Sequence, residues 1–196
     1  MAEPPPNSVH PLIRAVWREW LAANSTRTEG IWVISYKKAS GQPSIPYEDL
    51  IEEALCFGWI DSTAKGLDQD RSMLWLAPRK PRTGWSRPNK ERIERILAAG
   101  LMTEAGLRKI EAAKQDGSWF LLDSVEALEI PPDLGEALDS HPPARANFEA
   151  FPRSVKRSIL EWIVIAKTPT TRQRRIDETA QLAQQNRCAN QWREQR

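Results

Sequence analysis

Cysteine and histidine are scarce in this chain, with two of each among 196 residues. Cys56 lies in an apolar run and Cys188 in a polar tail, an arrangement that does not suit a disulfide. Unpaired cysteines fit a reducing compartment, so a cytoplasmic location is expected. His10 sits in a proline-rich arm and His141 directly before Pro142. Neither is placed on sequence to serve as the base of a catalytic thiol. No apolar run approaches the roughly 20 residues of a membrane span. The opening MAEPPPNSVHPLIRAVWREW has no basic leader and no uninterrupted apolar stretch, so a signal peptide is not expected. P-loop, dinucleotide-type glycine pattern, zinc ligand set and DNA-reading motif are all missing, and no cofactor or metal is expected. There is no internal repeat.

What the chain does have is the composition of a soluble globular protein, 40% apolar and 28% charged. Fifteen prolines against nine glycines predict many short elements with firm stops. The net charge of +2 conceals alternating blocks. Residues 1–70 carry a net −4, 71–114 +7, 115–150 −7 and 151–196 +6. Such blocks suit either parts that attract one another or basic surfaces for a polyanion. The near-balanced total and the missing motifs argue against nucleic acid as the partner.

Along the chain, residues 1–11 read as a flexible arm. Leu12, Ile13, Val16, Trp17, Trp20 and Leu21 repeat at helical spacing. The β-branched and aromatic run at 31–38 predicts a strand. Pro46, Glu48 and Asp49 open a helix over 46–57 that Gly58 ends. Strands follow at 59–65 and 71–78, joined by the turn GLDQD. Two short basic helices come next, then a linker at 120–130. A helical module spans 131–185 and a frayed tail 186–196. The expectation is an α+β fold. A small antiparallel sheet of about three strands packs with helices in a domain at 12–119, and the all-helical module follows.

Three groups of residues merit weighing as sites. Cys56, near the end of an amphipathic helix, is a catalytic candidate only if a base reaches it, and otherwise a small core residue. Asp61 lies inside a strand within reach of Lys65, Arg71 and Arg79. It reads as a structural ion pair or as a general acid or base. The segment APRKPRTGWSRPNK leads from a strand into a helix start. Arg79 and Lys80 there, Ser86 and Asn89 as candidate caps, and the flat face of Trp85 could hold an anionic group, with Lys65 and Arg71 adding charge. The alternative is a solvated loop with Trp85 as a buried anchor.

Four phrases together resemble one family: EEALCFGWID (52–61), APRKPRTGWSRPNKERIERI (77–96), MTEAGLRKIEAAKQDGSW (102–119) and PRSVKRSILEWIVIAKTPTTRQRRIDET (152–179). They are similar to the bacterial YdeI/OmpD-associated, or bacteriocin-protection, proteins, over about residues 30–185. The resemblance implies a role in protection against antimicrobial peptides and an association with an outer-membrane porin. The expected function is therefore that of a non-catalytic stress or defence accessory protein. It would bind an anionic ligand or a protein partner through the basic tryptophan-containing loop. An enzyme using Asp61 and a nucleic-acid binder are the two alternatives.

Overall fold

The computed structural model describes residues 2–190. The tail expected at 186–196 therefore lies partly outside the described residues. The chain divides into two compact units. The first takes the chain up to Thr83 together with Pro88–Trp119, and the second takes Gly84–Arg87 and the chain from Phe120 onward.

The first unit is the α+β part. Its elements are β1 (Ser8–Val9), α1 (Arg14–Ala23), β2 (Ile31–Tyr36), α2 (Tyr47–Cys56), β3 (Trp59–Gly66), β4 (Arg71–Pro78), α3 (Arg87–Ala98) and α4 (Glu104–Gln115). Among the described residues four strands form one sheet in the order β1-β2-β4-β3, where about three were expected. The β2–β4 and β3–β4 pairings are antiparallel as predicted. The added strand comes from the stretch read as an arm, where Ser8 and Val9 pair in parallel with Trp32 and Val33. A two-residue strand carries no alternation to read. The prolines before it hold the chain extended and so make it ready to pair. Asn7 fastens it, its side-chain amide donating to Gly30 O at 2.8 Å.

Register sorts the side chains. Ile31, Val33 and Ser35 of β2 stand opposite Leu76, Leu74 and Ser72 of β4, so these six share one face. β3 has an irregularity between Asp61, paired with Leu76, and Ala64, paired with Leu74. Three steps on β3 thus span two on β4. This extra residue puts Asp61 and Ala64 on the same face, which unbroken alternation would forbid.

One end of that face is packed. Ile31, Val33 and Leu76 are buried together with Trp17 and Leu21 of α1 and Leu50, Ile51, Ala54 and Leu55 of α2. The indole of Trp17 donates to Leu50 O at 3.0 Å, tying the two helices. Glu53 of α2 is buried and accepts from Arg14 at 2.6 Å and Arg18 at 2.7 Å, both on α1. On α4, Gly106 allows contact with the end of α2. A Cβ there would fall 2.4 Å from Cys56 O. Gly58, at φ +75°, ends the α2 segment, as the sequence suggested.

The second unit is helical: α5 (Asp123–Glu126), α6 (Pro132–Asp139), α7 (Ala144–Ala150), α8 (Arg153–Val164) and α9 (Pro169–Gln184). Its core joins Leu134, Leu138, Phe148, Ile159, Leu160, Ile163, Ile176, Ala180 and Ala183. Pro132 and Pro169 sit in the first turns of α6 and α9, where no N–H is lost from the ladder. Thr168 caps α9 by accepting from Thr171 N. The stretch 120–130, expected as a linker, contains α5 and sends Leu122 and Val125 into this core. A single helical turn is too short to show a period.

Candidate functional site

The helices leave the far end of the sheet's packed face open. Between β2 and α2 the chain makes a short 3₁₀ turn at Lys38–Ser40, then passes Gly41 in a left-handed conformation at φ +68°. This loop, the start of α2 and the open end of the sheet enclose a groove of about 830 Å³. That volume is within the usual range for a small-molecule site. Val33, Leu50, Leu74, Met73 and Ile45 supply its apolar surface, and Ser35, Ser44, Ser72, Gln42 and Tyr47 its hydrogen-bonding groups. Among the described residues its one charged lining residue is Lys38, and no carboxylate lines it.

Tyr47 links the groove to Asp61. Its hydroxyl donates to Asp61 Oδ2 at 2.9 Å. Burial first, and then the bond to Asp61, push the phenol up to about 12. Tyr47 is therefore a persistent donor and a poor base at neutral pH. The Arg92 guanidinium lies 5.9 Å from the centre of its ring and chelates Glu48 at 2.7 and 2.8 Å. That pairing holds the Glu48 carboxyl below its ordinary range. Asp61 is half-buried, and only its Oδ2 has a partner among the described residues.

The residues singled out from sequence do not gather into one exposed basic surface. Trp85 is 2% exposed, so the aromatic of the basic loop is an anchor. Next to it, Leu122 lies against Gly84, where a Cβ would fall 2.8 Å from the leucine side chain. Arg79 is also buried. Loss of water drives its guanidinium down to about 10, partly offset by Asp61. It donates to Thr83 O at 3.5 Å. Asn89 lies within α3 rather than at its cap, and accepts from Arg92 at 2.8 Å. Ser86 directly precedes α3 and is half-buried, while Lys80 is exposed. Lys65 pairs with Met73 on the opposite face from Asp61, its ammonium 5.3 Å from the Trp32 ring. Arg71 is buried against Asp68, at 2.7 Å. The hairpin cations therefore do not serve Asp61.

Cys56 is fully buried at the end of α2, and burial followed by Glu53 pushes its thiol up. That is the opposite of what a nucleophile needs. Among the described residues no group of three His, Cys, Asp or Glu could hold a metal ion, and no helix is long and apolar enough to cross a membrane.

The groove was not legible in the sequence. Its lining comes from strand residues with small or mixed side chains and from a loop of ordinary turn composition. Only the pair of Tyr47 at a helix start and Asp61 on the next strand offered a signal.

Fold and groove together define a two-unit α+β protein with an open, mostly apolar cleft in its sheet-containing unit. The chain belongs to the family described as Domain of unknown function (DUF8412), whose model matches residues 10–109. A second family model, described as Bacteriocin-protection, YdeI or OmpD-Associated, matches residues 127–186. The family named from the sequence is thus present, though its match covers the helical unit rather than the wider span of 30–185. No curated protein and no solved structure gave a match.

Proposed function

We propose that this protein is an accessory protein of the bacteriocin-protection type that acts by binding, and that its ligand site is the groove of the first unit. The family match at 127–186 supports the accessory role at family level. The observation that carries the site is the groove itself, with its apolar floor, its row of hydroxyls and Lys38 as its single charge. Charge complementarity selects the occupant, an amphipathic organic acid. Its apolar body would lie along Val33, Leu50 and Leu74, and its acid group would meet the Lys38 ammonium. This moves the anionic ligand expected from sequence away from the loop around Trp85, which is buried.

The cytoplasmic setting belongs to the same proposal and rests on two cysteines that are both unpaired. Recovery of the native protein in a periplasmic fraction would remove that part.

Decanoate is the probe for the groove, read by calorimetry and thermal shift. At 100 times its dissociation constant a ligand adds about 2.7 kcal/mol of stability. Ala64→Trp, on the exposed edge strand, should fill the groove and abolish binding. Lys38→Glu should weaken it at least tenfold. Equal binding by wild type and a folded Ala64→Trp variant would overturn the reading.

A further inference from the structure

The floor of the groove changes character along the strands. Val33 of β2 and Ala64 of β3 both stand opposite Leu74 of β4, which makes one apolar row across the sheet. Further along β2, Ser35 stands opposite Ser72, a row of two hydroxyls on the same face. The two rows lie roughly 7 Å apart at about 3.4 Å per residue. β2 ends at Tyr36, and Lys38 opens the turn just beyond it. In one direction the lining therefore runs apolar, then hydrogen-bonding, then cationic.

The loop wall repeats the middle zone. Gln42 and Ser44 line the groove beside Ser35 and Ser72, and among the described residues none of these four side chains makes a hydrogen bond. Ser35, Ser44 and Ser72 are half-buried. An occupant that displaces water from them must replace its hydrogen bonds or lose affinity. A plain fatty acid with its carboxylate at Lys38 would lay its first methylenes over this zone and leave all four groups unmet. A polyhydroxy acid would satisfy them but set its hydroxyls against the apolar row.

From this we infer that the ligand is the carboxyl end of a peptide whose last residues are apolar. Its terminal carboxylate meets the Lys38 ammonium, and its last amide groups bond Ser35, Ser72, Gln42 and Ser44. Its apolar side chains lie against Val33, Leu50 and Leu74. This rests on the groove reading above and names its ligand class. The unmet polar groups sit on two walls, the sheet and the loop, so a single amide does not serve them all. A peptide backbone repeats a donor and an acceptor at every residue. A serine hydroxyl or a glutamine amide can take either role opposite it.

The test is calorimetry with N-acetylated alanine-valine-leucine as the free acid, its C-amidated form, and decanoate. The free acid should bind wild type about tenfold tighter than decanoate, and amidation should weaken it about tenfold, the scale of one hydrogen bond to a charged group. Ser35→Ala combined with Ser72→Ala should narrow the margin of peptide over decanoate, and Ala64→Trp should block the peptide. A free-acid peptide no tighter than decanoate, an amidated peptide equal to the free acid, or full peptide binding by a folded Ala64→Trp variant overturns the inference. The wild-type comparisons need no variant, so a misfolded substitution does not blunt them. If decanoate binds and Ala64→Trp blocks it while the peptide shows no advantage, the groove reading stands and this inference falls. If neither probe binds, both fall.

Discussion

The Tyr47 hydroxyl donates to Asp61 Oδ2 across 2.9 Å, joining the first turn of α2 to the edge strand β3. Asp61 pairs with Leu76, whose side chain lies on the packed face, and so stands on the side of the sheet that α2 covers. The bond fixes the phenol of Tyr47, which lines the groove, against a carboxylate that does not. Tyr47 is raised to about 12 by burial first and Asp61 second. Asp61→Asn should therefore lower its titration without returning it to the free value near 10. Ultraviolet titration of the tyrosinate band, with Tyr47→Phe to assign the signal, checks this. An unchanged Tyr47 titration in Asp61→Asn would show that the bond does not persist in solution.

Glu53 gives a prediction about stability. Its side chain is 3% exposed and carries two arginines, each about a third exposed. Glutamine would keep one acceptor oxygen, lose the charge and turn an amide N–H donor toward the other guanidinium. Glu53→Gln should cost about 3 kcal/mol, the lower part of the range for breaking a buried pair, because both arginines keep some water. Urea unfolding should show a lower midpoint with an unchanged slope. A loss below about 0.5 kcal/mol would mark the pair as ornamental, like most surface bridges.

His10 predicts a dependence on pH. Its ring lies 4.8 Å from that of Tyr36, and its Nε2 is buried without a hydrogen-bond partner. Burial, and then Arg71, lower its proton affinity below the ordinary value of 6.5. The unfolded chain therefore binds the proton more readily than the folded one. The stability this histidine supports is present above pH 6.5 and is lost as pH falls through the lowered folded value. The charged groups facing it are Arg71 and, through Arg71, Asp68, whose own carboxyl is held far below its usual range by that arginine. Between pH 7.5 and 5 the melting temperature should fall less in His10→Gln than in wild type. Parallel curves for the two proteins would contradict this.

The buried anchor in the basic loop separates two meanings of one motif. Trp85→Ala should cost about 3–5 kcal/mol, as for a truncated core aromatic. Lys80→Ala, on an exposed side chain, should change stability by less than about 0.5 kcal/mol. Thermal unfolding of the two variants decides it. A stable Trp85→Ala protein would return the loop to the status of a displayed binding surface.

The α+β class, the helix at α2, the hairpin of β3 and β4 and the helical second unit were legible because each has a long period or a strong stop. Trp17, Leu21, Leu50 and Ile51 announce their helices by spacing alone. β1 and α5 were not legible, since two and four residues hold no period. The site was the least legible part. Charge density drew attention to Arg79, Lys80 and Trp85, yet burial of Arg79 and Trp85 removes them from the surface. Charged residues cluster in sequence for local reasons such as turns and caps. The groove arises instead from a register, an irregular strand pairing and a loop that closes over a sheet end, all of them long-range relations.

The central claim is that a ligand enters the groove of the sheet-containing unit. Amide chemical-shift mapping of the whole chain during titration with decanoate tests it most directly. Perturbations should concentrate at Val33, Ser35, Lys38 to Leu50, Ala64 and Ser72 to Leu74, and should vanish in Ala64→Trp. Shifts confined to the loop from Arg79 to Asn89 or to residues 127–186, or no saturable shifts, would contradict it.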